Sequence, residues 1–168
     1  MKNFKKIVLT IMLGVLVLLP SAVYAKTEVK TNEELKAATK NGGDIVLQND
    51  IVLTDDITVK GQNISIDLNG NTITLKAYID VFEGSLEFKG NGLIKDDRED
   101  TNATIYVYGS ADSKAVAFAT LTVGKDVKIE TKRYGITVWP CEVNKKAVPT
   151  YGTVVNFNGT LISTNKNA

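Results

Sequence analysis

The chain has 168 residues, with 20 Lys+Arg against 19 Asp+Glu, no His and one Cys. At this length one domain with a substantial core is expected. The lack of His removes imidazole bases, Ser-His-Asp and Cys-His nucleophile systems and every His-ligated metal site, and a lone Cys removes an internal disulfide framework and Cys-rich zinc sites. Charged residues at 23% and hydrophobic ones at 43% argue against wholesale disorder.

In chain order the first element is an address label. Lys2, Lys5 and Lys6 form a basic start, and the run from Ile7 to Leu19 carries no charge. Pro20 and Ser21 break the run, and Val23-Tyr24-Ala25 supplies small residues at the −3 and −1 positions of a cleavage site. That order predicts a secretory signal peptide over residues 1–25, and the apolar run is shorter than the roughly 20 residues of a bilayer span. The only Cys, Cys141, is far from the cleavage region, which argues against a lipid-anchored lipoprotein. Cleavage removes three Lys and no acid, so the net +1 becomes −2. Charges in the rest are interspersed, without a basic stripe, so no nucleic-acid partner is expected. No second apolar stretch of spanning length follows, so no membrane span is expected after cleavage.

Residues 26–43 read as a cap with one short helix. Thr31 or Asn32 can cap residues 31–41, Glu33 and Glu34 suit the first turn, and Gly42-Gly43 end it. Leu35 with Ala38 or Thr39 gives it one small apolar face. From Asp44 onward short β-branched runs take over: 45–47, 51–53, 57–59, 64–68 and 72–75, separated by Asn, Asp and Gly. Alternation is strict in 64–68, where Ile64, Ile66 and Leu68 face one way and Ser65 and Asp67 the other.

A repeat emerges from the Asn-Gly pairs. Asn69-Gly70, Asn91-Gly92 and Asn158-Gly159 each join two apolar strands, and Gly124-Lys125-Asp126 joins two more. The first two pairs set a period in the low twenties, and the third lies close to three further periods on, or two with insertions. Such a period of short strands predicts a solenoid for residues 44–168, in which each turn buries its inner face by stacking on its neighbours. The Asn residues suit corners, because Asn tolerates the left-handed conformation and stacked amides can hydrogen-bond between turns. A β-sandwich is the competing arrangement, but it calls for equal strands reversed by hairpins.

The stretch from Thr31 to Leu75 resembles the opening of right-handed parallel β-helix proteins of the pectate-lyase-like superfamily. Glu33-Glu34-Leu35-Lys36-Ala37-Ala38, the Gly42-Gly43 exit and Ile66-Asp67-Leu68-Asn69-Gly70-Asn71-Thr72-Ile73 carry the likeness. The resemblance implies an all-β right-handed parallel β-helix with one short N-terminal capping helix, in a bacterial secreted or cell-surface protein. It implies no single activity, since members include polysaccharide lyases and hydrolases, adhesins and structural modules.

Lyases of that kind hold Ca²⁺ with clustered acids beside a basic residue. The nearest counterpart is Asp96-Asp97-Arg98-Glu99-Asp100, with Asp96, Asp97 and Asp100 as the candidate cation ligands. Consecutive charges on a loop read first as a solvated insertion, and no cofactor is expected beyond Ca²⁺ at that cluster. Asp55-Asp56 reads as a turn, and Asp67 is placed to oppose Asp44 or Glu87 on adjacent turns. Tyr106 and Tyr108 alternate with Ile105 and Val107 and so share an outer face, and Trp139 follows beside the insertion 139–146. Such rings suit sugar stacking or a protein interface, and equally suit covering the edge of the core. Cys141 reads as a structural thiol or an intermolecular disulfide partner.

After Ser163 no cap helix or anchor follows, so a truncated solenoid is expected, or one that associates end to end. The expected function is a non-catalytic secreted or surface module that adheres to a polysaccharide or a host or cell-surface protein, or spaces other domains. The alternative is a polysaccharide lyase or hydrolase.

Overall fold

The computed structural model describes residues 26–164, apart from 101, 117, 133, 141, 144 and 145 and the side chains of 142 and 143. The predicted leader 1–25 and Cys141 lie outside the described residues. Among the described residues strands dominate and one helix is present, an all-β composition.

Three ladders of parallel strands hold the structure. The first joins β1 (Thr27–Val29), β2 (Gly43–Leu47), the second halves of β4 (Ile57–Asp67) and β6 (Ile79–Lys89), then β9 (Ala119–Val123) and β14 (Thr153–Phe157). The second joins β3 (Ile51–Leu53), β5 (Thr72–Leu75), β7 (Gly92–Asp96), β10 (Val127–Thr131) and β15 (Thr160–Ser163). The third joins the first halves of β4 and β6 to β8 (Ala103–Tyr108) and β11 (Tyr134–Trp139). From β2 onward the chain visits first, second and third ladder in a fixed cycle. Only the short pair β12 (Glu142–Val143) and β13 (Lys146–Ala147) runs antiparallel among the described strands. A hairpin-built sandwich is therefore excluded.

Register explains the sequence. On the third ladder Ile57, Ile79, Ile105 and Ile136 fall in one row and Val59, Val81, Val107 and Val138 in the next. On the second ladder Ile51, Ile73, Ile94, Ile129 and Leu161 align. On the first, Ile45, Ile66, Phe88, Val123 and Phe157 align. All rows but their last members are buried, and the three ladders share one hydrophobic core. At the final rung the rows surface: Val138 is 50% exposed, Phe157 37% and Leu161 48%.

The predicted breaks between strands differ at one kind of corner. Residues 57–67 form one strand that bends with two register shifts around Lys60 and Gly61, where separate strands over 57–59 and 64–68 were expected. The same bend recurs in β6 at Gly84, whose φ is 89°. A Cβ there would sit 2.2 Å from the Gln62 carbonyl oxygen, so this corner admits only glycine. At the Asn-Gly corners Asn69 is left-handed, with φ 49°, and its amide donates to the Leu47 carbonyl at 3.0 Å. Asn91 and Asn158 are not left-handed, and at the Asn91 corner Gly90 takes that conformation instead.

The helix α1 (Asn32–Asn41) forms where expected. Thr31 accepts from the Glu34 N–H at 3.2 Å, Leu35, Ala38 and Thr39 are buried, and the Gly42 N–H closes the last turn on Ala38. It packs against β1 to β4, so the first rungs are covered. Asp55 ties it down, accepting from Asn32 at 2.9 Å and pairing with Lys36.

Candidate functional site

The acid-rich segment departs from a solvated insertion. Asp96 and Arg98 are each only 6% exposed. Asp96 occupies the inward row of the second ladder, in register with Leu75 and above Leu53. Its carboxylate accepts from Arg98 Nε at 3.0 Å, Arg98 Nη2 at 2.8 Å and the Thr104 hydroxyl at 2.9 Å. Arg98 also donates to the Ala103 carbonyl at 2.6 Å and lies 4.3 Å from the Tyr78 ring centre. Burial pushes the Asp96 carboxyl up, but the hydrogen bonds from Arg98 outweigh it and hold the group below its ordinary range.

The candidate cation ligands therefore point apart. Asp96 is committed to Arg98, Asp97 pairs with Lys76 and Lys132, and Asp100 accepts from the Tyr78 hydroxyl at 2.8 Å. Among the described residues no three acidic, His or Cys side chains converge as metal ligands would. The expected opposition of Asp67 with Asp44 or Glu87 also differs: Asp44, Ser65 and Glu87 share a row, while Asp67 falls between Val46 and Lys89. That row belongs to a cleft of about 660 Å³ on the first ladder. Its carboxylates are engaged, Glu87 by Ser65 at 3.1 Å and Asp44 by Lys89 at 3.4 Å, and no aromatic ring lines it.

The aromatic residues, by contrast, come together. Ile105 and Val107 are buried, which turns Tyr106 and Tyr108 outward. The β8–β11 register sets Trp139 directly opposite Tyr108. Tyr106 meets Trp139 edge-on, with ring centres 5.5 Å apart at 79°, and lies 6.2 Å from Tyr108 at 38°. On the preceding rung Phe82 stacks on Tyr108 at 4.0 Å, and Lys60 lies 5.0 Å from the Phe82 ring centre. The third ladder thus carries a cluster of Phe82, Tyr108, Tyr106 and Trp139, the last 42% exposed, with Lys60 at its edge.

Two grooves share Tyr108 and Trp139 as their common wall. One, about 280 Å³, is lined by Tyr78, Asp80, Asn102, Tyr106, Tyr108 and Trp139. The other, about 430 Å³, runs past Lys60, Phe82, Glu83, Phe118 and Pro140. Asp80 is half-buried, and its nearest partner is the Tyr108 hydroxyl, which donates at 3.5 Å. Burial, and then the like charge of Asp56, push the Asp80 carboxyl above its ordinary range. Burial and Asp80 push the Tyr108 phenol up to about 12, so it stays a neutral donor.

Sequence reasoning found Tyr106, Tyr108 and Trp139 but passed over Tyr78, Asp80 and Phe82. Their signal was present: Asp80 and Phe82 alternate with Ile79 and Val81 as Tyr106 and Tyr108 do with Ile105 and Val107. No protein-family model matches this chain, and no curated protein or solved structure does. Among the described residues no helix is long and apolar enough to cross a membrane.

Proposed function

We propose that this chain is a non-catalytic module of a secreted or cell-surface protein, a right-handed parallel β-solenoid related to the pectate-lyase-like superfamily, which holds a glycan on its third ladder. The cyclic visit to three parallel ladders around one core supports the solenoid, and the signal-like leader supports export. The observation that carries the binding site is the aromatic cluster: Trp139 in register with Tyr108, Phe82 stacked on Tyr108, and Tyr106 edge-on to Trp139. Strands stack about 4.8 Å apart, so three rungs give a strip about 10 Å long. Phe82 and Tyr108 stack face to face and brace one another, and Tyr108, Tyr106 and Trp139 at the end of that stack give apolar contact to the C–H surface of a saccharide, while Asp80, Glu83 and the tyrosine hydroxyls take its hydroxyl groups.

The test is a glycan array read with wild type and Trp139→Ala, followed by titration of the best ligand. Trp139 lies at a strand end, 42% exposed and edge-on to Tyr106, so its truncation is expected to cost about 1–2 kcal/mol, and a melting curve of the variant shows that it stays folded. Affinity is expected to fall by about tenfold or more, the loss of one central aromatic contact. A blank array, or equal binding by the variant, overturns the reading. Release of unsaturated or reducing-end products from the bound glycan, with or without Ca²⁺, replaces it with the polysaccharide-degrading alternative.

A further inference from the structure

Resting on that reading of the third ladder, the geometry points to the smaller groove as a cation cage, in which Tyr106, Tyr108 and Trp139 enclose an alkylammonium group borne by the glycan and Asp80 is its counter-ion. Ring orientation is the first argument. A neutral sugar asks for a flat platform, whereas Tyr106 stands at 79° to Trp139 and 38° to Tyr108, so the rings form walls. A cation draws on ring faces from several directions at once, since each face carries the negative end of the ring quadrupole.

The state of Asp80 points the same way. Among the described residues no cation forms an ion pair with it, although it is half-buried and its one hydrogen bond is long. The nearby cations are occupied elsewhere: Arg98 is locked to Asp96 and stacked against Tyr78, and Lys60 lies against Phe82. Asp56 adds negative potential at Asp80, and Asp100 adds a carboxylate beyond Tyr78. Arg98 and Lys60 act on Asp80 only through space, and burial outweighs them; a partly desolvated carboxylate without an ion pair is costly to the fold, and a bound ammonium relieves that cost. Size agrees, because about 280 Å³ accommodates one headgroup or one sugar ring of a longer chain. The same charge disfavours uronic acids.

The shared chemistry is an ammonium on a carbon frame, supplied either by a deacetylated amino sugar or by a choline-type substituent. Calorimetry with five probes separates these: a glucosamine tetramer, its N-acetylated counterpart, a galacturonate tetramer, choline and methylammonium, at a pH where the sugar ammonium is charged. The ammonium-bearing oligomer is expected to bind about tenfold more tightly than the N-acetylated one, with the galacturonate weakest. Choline competing more strongly than methylammonium assigns the quaternary source; the reverse order assigns the amino sugar. Asp80→Asn is expected to erase the preference for charge while keeping binding of the neutral oligomer. Because the fold favours the neutral form of Asp80, this variant melts no lower than wild type at neutral pH, which separates loss of preference from loss of structure. Equal affinity for the charged and neutral oligomers, or an equal loss of both in Asp80→Asn, overturns the cage and leaves the glycan reading standing. Binding of choline alone supports the cage and assigns the quaternary source, and no binding by any probe overturns the cage.

Discussion

Arg98→Ala is expected to lower the unfolding free energy by about 3–5 kcal/mol, read as a shift of the urea midpoint. The size follows from where Asp96 sits. Its carboxylate is at an inward position of the second ladder, in the row that carries Leu53 and Leu75 on earlier rungs. Removing the guanidinium leaves that charge in the core with no counter-ion, held only by the Thr104 hydroxyl and the backbone N–H of residue 98, and it opens the Ala103 carbonyl as well. Replacing both partners with apolar residues of similar size, Asp96→Leu with Arg98→Met, is expected to cost far less, because no orphaned charge remains. Acid titration gives an independent arm. Asp96 is held below its ordinary range in the fold, so its stabilising contribution is complete above the unfolded value and is lost as pH falls through the folded one. Asp96→Asn should therefore flatten the acid limb of the stability profile. An Arg98→Ala midpoint equal to wild type would place this segment on the surface after all.

Phe88→Ala is the second large effect, expected at about 3–5 kcal/mol. Phe88 is fully buried and is the largest such side chain, set between Ile66 and Val123 in the first-ladder row. Truncation removes apolar contact from the core common to all three ladders, and the stacked neighbours, fixed by ladder hydrogen bonds, cannot close in around the gap. Phe88→Leu, which retains most of the volume, is expected to cost less than about 1.5 kcal/mol. Chemical denaturation of both variants checks the pair. Similar small losses in both would mean that the first ladder does not share the core.

Much of this architecture is written in local pattern. Ile64-Ser65-Ile66-Asp67-Leu68 declares its inner face by alternation, and Asn69-Gly70 declares its corner by backbone tolerance. Thr31, Leu35 and Gly42 likewise announce the helix, its buried face and its end. Features that depend on non-local pairing were hidden. Five charged residues in a row from Asp96 to Asp100 look like a solvated loop, and only the partners Ala103 and Thr104, supplied by the next strand, show why two of the five are buried. Trp139 opposite Tyr108 needs a register that spans the long excursion through β9 and β10, which no local period reveals. Gly61 read as a break between strands, yet its positive φ bends one continuous strand from the third ladder into the first.

Trp139 is the sole tryptophan of the chain, and it stands in the wall shared by both grooves. Its fluorescence therefore reports occupancy of the proposed site without any label. Titrating the best glycan ligand into wild-type protein is predicted to give a saturable change in Trp139 emission, with the same midpoint as calorimetry. A calorimetrically verified ligand that leaves Trp139 emission unchanged through saturation would contradict the placement of the glycan site on the third ladder.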